Sequence, residues 1–299
     1  NRELFMGIFN SPHIVGEALK TAVFAAALFE EFDMATFFRN DLDVIHPELG
    51  EKVGAVFTER LGGVSSGPWG GKDGIMGLNV GTRVGDNAGC VCMNRNIVAQ
   101  MTEGAPRWMT QVHGTTVVDA ELIDTDAVEA DAATSVTPGV VCVVQVADCL
   151  PVLLAETHGR GVAAVHAGWR SLSAGIIEKT VARLRERLGD DAAEIKAWLG
   201  PRIGDDDFET NEATARAFAE HFGAVPGAVK PSENEGKVFL SLAKYAEAAL
   251  NKVGVTAIED CGLSTVADDV HFYSYRRDGE KTGRHAAAVW IKAAAPENK

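Results

Sequence analysis

The run Gly139 to Val146 is β-branched and almost wholly apolar, the composition of a strand buried on both faces. Such a strand needs apolar cover on two sides, so the chain around it is committed to a layered fold. It leads directly into Ala147-Asp148-Cys149-Leu150-Pro151. Two more short apolar segments follow, Pro151 to Ala155 and Gly161 to Val165, around the turn His158-Gly159-Arg160. This block then ends in His166-Ala167-Gly168-Trp169-Arg170.

Other signals place the remaining elements. Val53 to Thr58 reads as a strand before the glycine-rich turn Gly62 to Pro68, Asp86 to Met101 as a helix, and Arg107 to Val112 as a strand ending at His113. A helix is expected from Ser173 as N-cap, with Ile176, Ile177, Val181, Leu184 and Leu188 on one face and Gly189 closing it. Helices are also expected at Asn211 to Phe222 and Ser241 to Val253, and two final strands at Phe272 to Tyr275 and Ala286 to Ile291 around Asp278-Gly279. Strands and helices mix without strict βαβ alternation. The expected fold is therefore α+β, a single domain of mixed β-sheets flanked by helices, over residues 34–299. Residues 1–33, Ala/Phe-rich and without motif punctuation, read as an N-terminal extension, either a helical arm or a non-native leader.

Charge and cysteine usage exclude several classes. A net charge of −14 argues against nucleic acid and against an anionic membrane surface, because phosphate binding needs a basic field. The apolar stretch Thr21 to Phe29 is far shorter than the roughly 20 residues of a membrane span. It is followed by Glu30 and Glu31, not by a cleavage site, so a cytoplasmic protein is expected. Five cysteines, odd and sparse, do not form a secreted disulfide framework. Cys142, inside an apolar run, is expected to pack as a small hydrophobe, and Cys90 and Cys92 to be reduced thiols near a helix start.

Three short segments carry chemistry. His113 stands in Gln111-Val112-His113-Gly114, Cys149 follows the buried strand, and His166 ends another. Two imidazoles and a thiolate form a three-ligand zinc set with one position open, provided the fold brings them together. Cys149 could be ligand, nucleophile or packing. Asp148 beside it would raise the thiol pKa, which favours ligand over nucleophile because a bound metal deprotonates the thiol outright. Arg170, just before a helix start, makes an anion site with it. Arg60 and Ser65-Ser66 flank a glycine turn able to cradle phosphate, and one of Arg276 and Arg277 should point inward. Asp205-Asp206-Asp207 reads as solvated loop charge.

The segments Gln-Val-His-Gly, Ala-Asp-Cys-Leu-Pro-Val-Leu-Leu-Ala and Ala-Ala-Val-His-Ala-Gly-Trp-Arg-Ser-Leu closely resemble the polyphenol oxidase/laccase-domain family, of purine nucleoside phosphorylase type and also called the peptidoglycan-editing-factor family. Further matches include Thr58 to Pro68, Gly77 to Gly81, Asn94-Arg95, Trp198 to Pro201, Phe272 to Gly279 and Thr282-Gly283-Arg284, in order from about Val53 to Lys292. Departures are Asp205 to Asp207 where relatives often carry Pro-Cys-Cys, His285 where methionine is usual, and Ser171 in place of a common glycine.

The resemblance implies zinc on His113, Cys149 and His166, which also form the catalytic centre. It implies phosphorolysis of adenosine, inosine and methylthioadenosine, with adenosine deamination by metal-activated water at purine C6. Phosphate would be held by Arg170 with help from Arg60 or Arg95, and Asn79 and Arg276 complete the expected substrate-binding set. The partners are thus a purine nucleoside and phosphate, for a monomer or homodimer. The alternatives are a copper-dependent polyphenol oxidase, since a His2Cys set resembles a blue-copper pocket, a Cys149-dependent hydrolase editing peptidoglycan precursors, and a zinc-stabilised binding module.

Overall fold

Successive side chains of a strand leave on opposite faces, and in Val141–Val146 both sets are apolar except for the half-buried Gln145. The computed structural model, which describes residues 44–293, shows what each set meets. Cys142, Val144 and Val146 join Phe57, Leu153, Ala164, Trp198 and Val289 in one core. Val141 and Val143 join Val56, Val98, Ala288 and Trp290 in another. The expected two-sided burial of this strand is borne out.

The main strands are β1 (Val53–Thr58), β2 (Val141–Val146), β3 (Leu150–Glu156), β4 (Val162–Ala167), β5 (Ile195–Leu199) and β6 (His285–Ile291). The α-helices are α1 (Ala88–Met101), α2 (Trp169–Ser173), α3 (Ile176–Leu188), α4 (Glu212–Phe222), α5 (Leu242–Lys252) and α6 (Tyr275–Asp278). One sheet runs Val44–Ile45, β1, β6, β2, Pro106–Arg107. A second runs Ala257–Asp260, β5, β3, β4, Ala132–Ser135, Val117–Asp119, and a small third sheet comprises Glu209–Asn211, Lys237–Leu240 and Val229–Pro231.

The first two sheets share the core around Phe57 and Trp198. The outer face of the second sheet (Val152, Leu154, Val165, Ala197) packs on Ile177, Val181 and Leu184 of α3 and on Tyr245 and Leu250 of α5. The outer face of the first meets Val98 of α1. The order is helix, sheet, sheet, helix, a mixed α/β arrangement as expected. Each fully buried Leu, Val or Phe contributes roughly 1.5–3 kcal/mol, so the sandwich, not any surface pair, holds the frame.

Three local expectations are corrected. The helix expected from Ser173 is two helices: α2 starts after Gly168, and α3 starts after Gly175, whose left-handed φ of 82° breaks the path. Ser173 caps nothing there and instead donates to the Arg170 carbonyl at 3.2 Å. The strand Arg107 to Val112 shrinks to Pro106–Arg107, because the amides of Val112, His113 and Gly114 go to one carboxylate and not to a ladder. The strand Phe272 to Tyr275 does not form, since the Tyr273 amide donates to His285 Nε2 and Ser274 Oγ caps α6. The remaining expected helices form with Asn87, Asn211 and Ser241 as side-chain N-caps. The expected extension 1–33 lies outside the described residues.

Candidate active site

β2 belongs to the first sheet and β3 to the second, so Ala147-Asp148-Cys149 is the corner where the chain changes sheets. Asp148 takes a left-handed φ of 83° there. Its carboxylate accepts from Thr265 Oγ1 and from the Arg276 amide, both at 2.6 Å, and its carbonyl accepts from the Ile203 amide. These three bonds fix the corner and set Cys149 at the start of β3, an interior strand of the second sheet. On the adjoining β4, Ala167 pairs with Leu150 and His166 with Pro151. Strand register alone therefore brings Cys149 and His166 together.

His113 arrives from a loop, held at φ 58°. Asp131, just before Ala132–Ser135 and fully buried, is what holds it. Asp131 Oδ1 accepts from the His113 amide at 3.0 Å and contacts His166 Nδ1 at 2.8 Å, while Oδ2 accepts from the Gly114 amide at 2.6 Å and the Val112 amide at 3.3 Å. Its carbonyl accepts from the His166 amide. One carboxylate thus orients both imidazoles. No spacing in the sequence marked Asp131.

The donor atoms of His113, Cys149 and His166 lie within 4.8 Å of one another, the one such cluster found among the described residues. Cys149 Sγ is 3.7 Å from His113 Nε2, and the two imidazole rings meet edge to face at 4.8 Å. Gly168 is the close-approach residue of the site: a Cβ there would meet His113 Cδ2 at 2.9 Å and Cys149 Sγ at 3.1 Å. Burial opposes ionisation of Cys149, but the His166 and His113 imidazoles outweigh it and bring the thiol down to about 6. His166 is buried yet raised to about 9 by the Cys149 sulfur and Asp131. The expectation that Asp148 raises the thiol is therefore corrected. Its carboxylate is engaged by Thr265 and Arg276, and the imidazoles dominate.

The trio opens on a cleft of about 620 Å³, the size of a small-ligand site. Arg170 and Arg276 line it, as expected, and so do Arg83 and Arg284. Arg170 is exposed and lies over Trp169 at 4.4 Å. Arg276 donates to the Asp207 carbonyl and packs over Phe208, while Arg277 turns away to backbone carbonyls of Thr265, Val266 and Phe272.

Arg60, Asn79 and Arg95, also expected in the substrate-binding set, do not line this cleft. Arg60 is buried, donates to the Gly70 and Asp269 carbonyls and lies over Tyr273. Asn79 is buried and bonded to Asp86, Gly81 and the Arg284 amide. Arg95 binds the Val80 carbonyl and Asp126 and stacks on Trp108. Cys142 packs in the sheet-to-sheet core, as expected.

Known proteins are similar to this chain in sequence and in fold. A sequence model of the family described as multi-copper polyphenol oxidoreductase laccase matches residues 54–292. A purine nucleoside phosphorylase of Pseudomonas aeruginosa is 40% identical over 241 residues, 81% of this chain and 94% of the relative. The purine nucleoside phosphorylase YfiH of Escherichia coli is 37% identical, covering 80% and 94%. Among solved structures, Neisseria meningitidis protein NMB0706 aligns with a TM-score of 0.76 and 34% identity over 84% of this chain and 99% of that one. YlmD of Geobacillus stearothermophilus aligns with 0.73 and 25%, over 81% and 93%. Five of the six strands β1 to β6 and all three donors fall wholly inside the matched range, and β1 starts one residue before it; the chain belongs to the multi-copper polyphenol oxidoreductase laccase family, whose curated relatives here are named purine nucleoside phosphorylases.

Proposed function

We propose that the protein is a metal-dependent purine nucleoside phosphorylase, with zinc held by His113, Cys149 and His166. The observation that carries this reading is the meeting of that donor set with an arginine-lined cleft in a chain of net charge −14. The donors fit the metal on three counts. A tetrahedral zinc with ordinary bond lengths separates a sulfur and a nitrogen ligand by roughly 3.6 Å, and Cys149 Sγ and His113 Nε2 stand 3.7 Å apart. The thiol already favours its thiolate. Asp131 holds His166 through Nδ1, which leaves Nε2 for the metal, the usual carboxylate–histidine pairing.

Such a metal acts as a Lewis acid and lowers the pKa of water it binds. The chain's own residues do the rest. The cleft arginines bind phosphate as an anion and place one oxygen at C1′ of the nucleoside. The new C1′–O bond forms as the C1′–N9 bond breaks, and its electrons leave with the purine. The proton lost by hydrogen phosphate is balanced by the one taken up by the base. Asp131 keeps both imidazoles in place, and the Asp148 corner keeps Cys149 and Arg276 in register. The reading extends to adenosine deamination in the same cleft, with water replacing phosphate and ammonia leaving C6, and to a cytoplasmic setting.

The test is a chromatographic assay of adenosine and inosine with and without phosphate. Free base and ribose 1-phosphate formed only with phosphate support the reading. Consumption of nucleoside at the same rate without phosphate, or oxidation of phenols as the sole activity, contradicts it.

A further inference from the structure

A guanidinium buried away from any carboxylate is costly unless a ligand supplies the missing charge. Elsewhere partly buried arginines either pair with a carboxylate, as Arg202 with Asp260, Arg187 with Glu121 and Arg277 with Asp278, or, as Arg60, Arg107 and Arg185 do, spend their donors on backbone carbonyls away from the cleft. Arg284 is the partly buried arginine of the cleft wall, where Arg83, Arg170 and Arg276 are exposed. It has no ion pair among the described residues, and its bonds run from Nη1 to the backbone carbonyls of Thr282 at 3.0 Å and Gly283 at 2.9 Å. Burial holds its pKa below the ordinary arginine value, against the pull of the Cys149 and Asp148 charges across the cleft.

Its position is also fixed from behind. The Arg284 amide donates to Asn79 Oδ1 at 2.9 Å, its carbonyl accepts from Val80, and the guanidinium lies over the Tyr275 ring at 5.9 Å. A Cβ on Gly81 would meet Arg284 Cγ at 2.8 Å, so glycine there is what lets the side chain lie flat along the wall. Arg170 has none of this support and is exposed over its own neighbour.

We propose that Arg284 is the principal phosphate-orienting residue of the cleft, a preorganised cationic fork facing the Cys149 corner, and that Arg170 is secondary. The proposal rests on the phosphorylase reading and deepens it. A guanidinium immobilised before the anion arrives loses little freedom on binding it.

The experiment compares metal-loaded wild type, Arg284→Gln and Arg170→Gln. Inorganic phosphate is titrated calorimetrically without nucleoside, and initial rates with inosine give separate KM values for phosphate and inosine. The expected result is phosphate binding and phosphate KM weakened about tenfold or more in Arg284→Gln, as for loss of a charged fork. The inosine KM should stay within about threefold, and Arg170→Gln should shift phosphate by less than about threefold. Phosphate bound equally by Arg284→Gln and wild type overturns the proposal, as do equal rises in both KM values. Should Arg284→Gln fail to fold, phenylglyoxal modification of wild type mapped by mass spectrometry replaces it. Slower modification of Arg284 in phosphate supports the site, and an unchanged rate overturns it. Wild type that binds phosphate through Arg284 yet forms no ribose 1-phosphate contradicts the phosphorylase reading and leaves the phosphate site standing.

Discussion

Two polar clusters sit close in the fold and behave oppositely. Around Asn94, every donor is spent inside the protein. Its Nδ2 reaches Ser65 Oγ and the carbonyls of Gly77 and Asn79, and its Oδ1 accepts from the Val64 amide. Ser65 and Asn79 both converge on Asp86 Oδ2. Around Cys149, the supporting bonds are equally complete at Asp131 and Asp148, yet the groups they hold up are left open to the cleft. These are the Cys149 sulfur and two imidazoles, with Arg276 beside them on the same wall. The first cluster staples a glycine-rich loop to α1. The second aims reactive groups at a ligand. Polar residue types alone do not distinguish them; unspent bonding capacity does.

The contrast can be broken by substitutions on either side. The largest stability effect is expected at the closed cluster: Asn94→Leu leaves the Val64 amide and several acceptors without partners. It should cost about 3 kcal/mol and lower Tm on the order of 10 °C in a calorimetric scan, while the folded fraction keeps its metal content. Loss of metal with an unchanged Tm would mean the two clusters are one. At the open cluster, Asp131→Asn should weaken metal affinity by about 10–100-fold in a chelator competition, and affinity equal to wild type would remove Asp131 from the account.

A smaller effect concerns pH. His285 is fully buried, with Nδ1 donating to the Thr58 carbonyl and Nε2 accepting from the Tyr273 amide, and burial lowers its pKa to about 3. The unfolded chain takes up a proton near the ordinary histidine pKa of about 6.5 and the folded one does not. This contribution to stability is therefore complete above pH 6.5 and is lost as pH falls from there toward 3. His285→Met should have a lower Tm near neutrality but a shallower fall on acidification, read by Tm from pH 7 to 4. Parallel curves would contradict it. The smallest effect is expected for Arg95→Gln, whose guanidinium is committed to Val80 and Asp126. Its phosphate KM should stay within about twofold, and a tenfold rise would return Arg95 to the site.

What was legible in the sequence follows the same physics. The two-faced strand Val141–Val146 and the capped helices α1, α4 and α5 declare themselves locally, through apolar runs and N-cap residues. His113, Cys149 and His166 stood out because strand ends and glycines flank them, and the register of β3 with β4 joins two of them. What was hidden depends on partners far along the chain. Asp131 looks like any acid until the loop 112–114 folds over it. Phe272 to Tyr275 has strand composition, but His285 takes the amide that a ladder needs. Arg60 flanks a glycine-rich turn as a phosphate cradle would, and only tertiary contacts show its donors already used.

The central claim is that the His113, Cys149 and His166 cluster holds a metal on which phosphorolysis depends. It is tested most directly by measuring metal per chain by mass spectrometry, and ribose 1-phosphate formation from inosine, in wild type and Cys149→Ala. The account predicts one zinc per wild-type chain, little in the variant, and a loss of activity of about 10³-fold or more. Full phosphorolysis by metal-free protein, or by Cys149→Ala, would contradict it.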